Sequence, residues 1–301
     1  IVCAEQLRVN GFSGQIQLID RLSGFPFERP PLSKGFLQAD GSDDEKFLLR
    51  RNDWFTSREI TLIAGREVTA IDSETKQLQL DDGQCCRYDK LVLATGAFPR
   101  QLDAAQNLKN VFALRHAYNA YELRTAMKGR QNAVVIGGGY IGLEVAASLT
   151  KAGMHVDVIE MAERVLARVA SPDISAFFAK LHVNNDVGIH TGITNQKILQ
   201  KDGVFSGIQL NNDRIIDAEL LLVGIGVLPD IGIAADAGLI TGDGIIVDGM
   251  MQSSVTDIFA IGDVAILDGA MSRIESVDNA QNTAARAAAA ICGSSQPPKA
   301  A

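Results

Sequence analysis

One stretch constrains this chain more than any other: Val134-Val135-Ile136-Gly137-Gly138-Gly139-Tyr140-Ile141-Gly142-Leu143-Glu144. It reads as an apolar strand, a glycine-rich turn and a helix start, with G-x-G-x-x-G at Gly137, Gly139 and Gly142. The helix continues through Val145, Ala146, Ala147 and Leu149 to Gly153, and a second strand closes on Glu160. Strand, turn, helix and strand in this order form the unit that binds a dinucleotide, because each glycine has a mechanical task. Gly137 permits the tight turn, Gly139 lets the backbone approach a pyrophosphate, and Gly142 lets helix and strand pack closely. The helix N-terminus supplies oriented N–H groups for the anion. Glu160 would accept hydrogen bonds from a ribose 2′-OH and repel a 2′-phosphate, so the unit predicts NAD(H) over NADP(H). Arg164, four residues on, is the feature that opposes this preference. A glycine-rich turn without a ligand is the alternative, and the full strand-helix-strand context argues against it.

The same rhythm recurs along the chain. Strands are predicted at 15–20, 87–94, 133–136, 155–160, 188–190, 205–210, 220–227, 245–247 and 258–261. Helices are predicted at 117–128, closed by Gly129, and at 279–291, before Gly293. Strands alternating with helices give an α/β class with parallel sheets. The 301 residues suffice for about two domains, and 47% apolar with 21% charged residues excludes a disordered chain. A net charge of −8 argues against a nucleic-acid partner held through its phosphates. No apolar run reaches the ~18 residues of a membrane span, and no charged-then-apolar leader opens the chain. The expectation is a cytoplasmic protein with no membrane partner. His116, His155, His182 and His190 show no i, i+4 pairing and no accompanying carboxylate cluster, so no metal site is predicted. Cys85 and Cys86 read as a vicinal disulfide or, preferably, as two buried or half-buried thiols at a strand start.

A second fingerprint lies at Thr256-Asp257-Ile258-Phe259-Ala260-Ile261-Gly262-Asp263-Val264-Ala265, where a strand precedes an exposed Gly-Asp. Asp263 there either binds a polyol hydroxyl or caps a helix. Lys34, after Glu28-Arg29-Pro30-Pro31-Leu32-Ser33, reads by itself as a surface lysine beyond a polyproline turn.

Together these segments resemble the pyridine-nucleotide oxidoreductases, flavoproteins with two dinucleotide-binding domains. They resemble most the ferredoxin and rubredoxin reductases that serve Rieske dioxygenases, cytochromes P450 and alkane hydroxylases. Six motifs carry the resemblance in family order: ERPPLSK at 28–34, YDKLVLATGAFPR at 88–100, GGGYIGLE at 137–144, VGIGVLPD at 223–230, IFAIGDVA at 258–265 and RIESVDNA at 273–280. The resemblance implies two interleaved Rossmann-like domains of the glutathione-reductase type. Residues 1–112 with 229–301 would bind FAD, and 113–228 would bind NAD(H). Asp263, with Gly262, would hold the ribityl chain of FAD, and Asp20, Arg29, Lys34, Thr95, Gly96 and Arg115 would contact the cofactor. Val68 would meet the adenine through its backbone, and Val277 would lie by the isoalloxazine. Gly137, Gly139, Ile141, Gly142, Glu144, Glu160 and Gly226 would hold NAD(H). Lys34 and Glu144, the implied catalytic residues, would form a buried ion pair near the flavin N5.

The implied activity is electron transfer from NADH through FAD to a ferredoxin or rubredoxin of an oxygenase system. The segment from Phe25 to Lys34 holds no cysteine, so reduction of a disulfide by the usual dithiol route is not expected. A nucleotide-binding protein without flavin activity, and an NADH oxidase or quinone-type reductase, are the alternatives. Measured against the family, the chain departs at both ends. It starts at Ile1-Val2-Cys3-Ala4, which matches the helix that follows the family's first strand and glycine loop, and it stops at Gly293-Ser294-Ser295-Gln296-Pro297-Pro298-Lys299, so that the family's usual C-terminal domain is expected to be missing. Asp20 stands as the acid at the next strand's end, with Arg21 after it where the family often has aspartate. The expectation is a chain that binds NADH, retains little FAD and leaves the strand around Ile16–Ile19 without a hydrogen-bonded neighbour, until family-like residues ahead of Ile1 restore the flavin.

Overall fold

The computed structural model describes residues 1–294 except Asn195 and Asn212. The chain folds into two compact units. The first comprises Ile1–Pro26, Leu49–Phe98 and the residues from Leu228 on; the second comprises Phe27–Leu48 and Pro99–Val227. Among the described residues no helix is long and apolar enough to cross a membrane.

The second unit is built on a five-stranded parallel sheet in the spatial order Val187–His190, His155–Ile159, Asn132–Ile136, Leu220–Val223, Val111–Phe112. Its central strand is the one that leads into the glycine turn. Alternation along that strand divides the core in two. Ala133 and Val135 face the helix side with Leu143, Ala146 and Leu149. Val134 and Ile136 face an antiparallel meander of Lys197–Lys201, Val204–Gln209 and Ile215–Asp217, packing on Phe205, Ile208 and Ile216. Leu220 and Leu222 point to the first side, Leu221 and Val223 to the second. Both faces are therefore covered, which is why these strands read as continuous apolar runs. The single strand expected at 220–227 is instead two: it stops at Val223, and a new strand, Val227–Pro229, begins after Gly224-Ile225-Gly226.

Residues 27–48 are tied to this unit by an aromatic and ionic cluster. Phe36 packs edge-on against Phe27 and Tyr121, and the Arg124 guanidinium lies 4.7 Å above the Phe36 ring and 5.0 Å above Tyr121. Arg124 grips Asp44 with two hydrogen bonds, at 2.9 and 2.6 Å, and both side chains are mostly buried. The arginine holds the Asp44 carboxyl below the usual carboxylate range. Asp44→Ala should therefore lower the stability of the second unit at neutral pH by about 3 kcal/mol, as for a buried pair that loses one partner. A depressed pKa contributes stability above the unfolded-state value of about 3.9 and loses it as pH falls through the folded value. The gap in melting temperature between Asp44→Ala and the parent should close below about pH 4. A gap that stays constant from pH 7 to pH 3 would remove the ion pair as its cause.

In the first unit the parallel pairing is in three pieces. Ile16–Asp20 runs beside Ile60–Ala64 in continuous register, Leu91–Leu93 runs beside Ile258–Ala260, and Gly244–Val247 runs beside Ala265–Leu267. The strand at Ile16–Ile19 thus has the neighbour that sequence reasoning denied it, because the chain returns through Ile60–Ala64, a segment not foreseen as a strand. Helix Val2–Val9 packs through Cys3, Ala4 and Leu7 against Ala284, Ala287 and Ala288 of helix Val277–Ile291. Small residues let these helices meet closely. All four cysteines are free thiols, and Cys85, expected to be at least half-buried, is exposed.

Candidate functional site

The glycine turn has the geometry that its spacing predicts. Gly137 takes φ +108°, and a Cβ there would fall 2.3 Å from the Gly224 carbonyl oxygen. At Gly142 a Cβ would fall 1.9 Å from the Gly137 carbonyl oxygen. Gly139 is different: nothing lies within 4 Å of where its Cβ would be. It caps helix Tyr140–Lys151, whose N-terminus has no side-chain cap, whereas Ser171 and Ser276 cap their own helices through their hydroxyls. Open space beside Gly139 and first-turn N–H groups without a capping side chain form a cradle suited to a pyrophosphate. Gly224, which its motif does not mark as part of the cradle, completes this turn from the neighbouring strand. Gly226 follows at φ +100°, its carbonyl accepting the Arg100 N–H at 2.9 Å.

Glu160 sits beside the turn with its carboxylate engaged at both oxygens. Oε2 accepts the Gly138 N–H at 2.6 Å and Oε1 the Ala162 N–H at 2.8 Å. Each oxygen keeps a further lone pair for a ribose hydroxyl. Arg164 does not oppose this arrangement. Its guanidinium donates to the carbonyls of Ala167 and Ala170, at 3.0 and 2.8 Å, and to the Ser175 hydroxyl.

Lys34 and Glu144 form an ion pair at 2.8 Å, and both belong to the second unit. The pair is not buried as expected: the side chains are 51% and 30% exposed. It is nonetheless organised. Ser33 Oγ donates to the same Glu144 oxygen at 2.5 Å, and Ser148 Oγ donates to the Ser33 carbonyl at 2.7 Å. Lys34 Nζ also reaches the Pro30 carbonyl at 3.1 Å. Both serines are buried, and sequence reasoning missed them because nothing local marks a serine as a tether. Arg29, exposed, and Arg115, half-buried, lie in this unit too, as do Ile141 and the NAD-directed glycines.

The first unit holds the other residues assigned to FAD: Asp20, Val68, Thr95, Gly96, Gly262, Asp263 and Val277. Asp20 ends its strand and accepts the Leu22 N–H at 2.9 Å. Val68 opens a strand opposite Leu80. Thr95 Oγ1 donates to the Asp230 carbonyl at 2.7 Å, and Asp230 returns its N–H to Gly96. Arg21 pairs with the Asp230 carboxylate at 2.9 Å. Val277 is 55% exposed at the start of its helix. Asp263 does not cap that helix; Ser276 does, accepting the Asn279 N–H at 3.0 Å. Asp263 instead follows Gly262, at φ +70°, in a short 3₁₀ turn beyond strand Ile258–Ala260, and it is half-buried. A half-buried carboxylate at the carboxyl end of a parallel strand suits the hydroxyls of a polyol such as a ribityl chain.

The family model described as pyridine nucleotide-disulphide oxidoreductase matches residues 1–284. Rhodocoxin reductase of Rhodococcus erythropolis is 39% identical over 297 residues, which cover 97% of this chain and 69% of that protein. Putidaredoxin reductase CamA of Pseudomonas putida is 38% identical, over 95% of this chain and 70% of its own length. Among solved structures, the ferredoxin reductase for the CYP199A2 system of Rhodopseudomonas palustris superposes with a TM-score of 0.94 at 38% identity, covering 98% of this chain and 74% of that one. The covalent putidaredoxin reductase–putidaredoxin complex gives 0.93 at 37% identity, covering 100% of this chain and 74% of the matched one.

Proposed function

The chain belongs to the pyridine nucleotide-disulphide oxidoreductase family, and from that premise we propose that it is an NADH-dependent flavoprotein reductase. It passes electrons from NADH through FAD to a small ferredoxin- or rubredoxin-type carrier that feeds an oxygenase. The observation that carries this reading is the Gly137–Gly142 turn with the Glu160 carboxylate beside it, a dinucleotide cradle set against a 2′-phosphate. Relatives over nearly the whole chain are reductases named for such carriers. The stretch from Phe25 to Lys34 has no cysteine to take up electrons as a dithiol, which favours a carrier over a disulfide substrate. Four free thiols suit a reducing compartment, and we place the protein in the cytoplasm.

NADH binds at Gly137, Gly139, Ile141, Gly142, Glu144, Glu160 and Gly226. Asp20, Arg29, Lys34, Val68, Thr95, Gly96, Arg115, Gly262, Asp263 and Val277 hold FAD. When bound, FAD supplies the conversion of a two-electron donor into two single-electron deliveries. Lys34 is held by Glu144 and by the Pro30 carbonyl, so its ammonium is fixed in place rather than swinging in solvent. We assign it to stabilise the negative charge that accumulates on reduction.

Stopped-flow mixing of the FAD-loaded protein with NADH, followed by a ferredoxin or rubredoxin, tests the reading. Lys34→Ala should slow flavin bleaching at least tenfold while NADH affinity changes less than about threefold, because the charge arises only as reaction proceeds. An unchanged bleaching rate would return Lys34 to the surface role its sequence context suggests. Reoxidation faster with oxygen or a quinone than with either carrier would overturn the choice of acceptor.

A further inference from the structure

Arg273 is a buried cation, its side chain 5% exposed, in a loop rather than under a packed helix. Two other segments of the first unit and its own loop supply its partners. Nη1 donates to the Asp263 carbonyl at 2.6 Å, Nη2 lies 3.0 Å from Glu275 Oε1, and Nε lies 3.4 Å from Asp243 Oδ2 without hydrogen-bond geometry. The two carboxylates are themselves exposed, at 39% and 61%, so they balance the charge from the solvent side. Gly244 makes room for the stem: a Cβ there would fall 2.8 Å from Arg273 Cδ. Sinking a guanidinium this far is costly, and a planar fork holds a carbonyl in one orientation better than an ammonium does.

The same turn is held from its other side. The Gly262 N–H donates to Thr283 Oγ1 at 2.9 Å, and that hydroxyl donates to the Asn279 carbonyl at 2.7 Å within its own helix. The peptide before Gly262 and the peptide after Asp263 are both anchored. The backbone that carries the Asp263 side chain is therefore fixed on both sides.

We propose that Arg273 is a positioning residue for FAD: by fixing the peptide after Asp263 it pre-orients the carboxylate that takes the ribityl hydroxyls. The proposal rests on the reading of Asp263 as the ribityl ligand. A turn already fixed loses less freedom when the cofactor arrives, so affinity is gained without a contact between Arg273 and the ligand.

A double-mutant cycle on the full chain tests this, with FAD titrated by quenching of its fluorescence. The four proteins are the parent, Arg273→Ala, Asp263→Ala and the double variant. Arg273→Ala should weaken FAD binding about tenfold when Asp263 is present and less than about twofold when it is alanine, the signature of a residue acting through its neighbour. Equal losses in both backgrounds would make Arg273 a general support of the unit and overturn the proposal. Arg273→Lys keeps the charge but not the fork and should fall between parent and alanine. If Arg273→Ala gives no cooperative melt, the cycle is run with lysine and the same criterion applies. Asp263→Ala that binds FAD as tightly as the parent refutes the ribityl assignment and the proposal with it. NADH titration of each variant reports separately on the second unit.

Discussion

An alanine at position 139 is expected to leave the fold intact and cost most of the NADH affinity, while an alanine at position 142 is expected to break the turn itself. Gly139 has φ −81° and ψ −174°, extended backbone that any residue adopts, and its Cβ would meet nothing. The variant should melt at or slightly above the parent temperature, since alanine restricts the unfolded chain. Its methyl group projects into the space beside the uncapped helix N-terminus, where a pyrophosphate must approach, so NADH should bind more than about tenfold more weakly. Gly142 has no such freedom. Its Cβ would sit 1.9 Å from the Gly137 carbonyl oxygen and 3.3 Å from Val135 Cγ1, and the first of these is backbone. The helix would have to lift off the central strand at a cost of about 3 kcal/mol or more, the upper range for overpacking, against a total stability of about 5–15. Thermal melts and NADH titrations of the two variants separate these effects. A Gly142→Ala protein that melts like the parent, or a Gly139→Ala protein that binds NADH like the parent, would refute the assigned roles.

The glycine turn was legible because its requirements are local: each glycine is forced by backbone a few residues away or by the strand beside it. The limits of a buried parallel strand were less so. Leu220 to Val227 is apolar throughout, and periodicity cannot show that the strand ends at Val223, where Gly224 turns to pack on Gly137. Helix Pro172–Val183 was missed although Ser171-Pro172 is a start signal, with the Ser171 hydroxyl accepting the Ile174 N–H. Its apolar residues mislead, for Ile174, Phe177 and Leu181 are exposed rather than turned to the core. Contacts far apart in sequence were beyond reach. Nothing near Arg124 announces Asp44, eighty positions away, and nothing near Glu144 announces Ser33. Lys34 divides between two readings: resemblance supplied its partner, and its own sequence context, a lysine beyond a polyproline turn, supplied its exposure.

Replacing NADH by NADPH should lower kcat/KM by about a hundredfold or more, and the structure shows why the cofactors cannot be exchanged cheaply. The Glu160 carboxylate is held by two backbone N–H groups, those of Gly138 and Ala162. It cannot swing away from a 2′-phosphate without leaving both donors unpaired, at about 1–3 kcal/mol each where they are buried. Staying in place sets like charges about 4 Å apart, worth about 4 kcal/mol at an intermediate dielectric before salt screening. Arg164, the cation four residues on, is committed to Ala167, Ala170 and Ser175 and has no obvious route to the phosphate without breaking those bonds. The same geometry makes a single substitution a poor converter. Glu160→Ala removes the repulsion but also releases the Gly138 N–H inside the turn, so NADH efficiency should fall while NADPH rises little. Steady-state kcat/KM for both cofactors on the FAD-loaded parent and on Glu160→Ala measures this. Equal efficiency in the parent would mean that a basic group captures the phosphate, and a variant that prefers NADPH outright would show that Glu160 repels without supporting the loop.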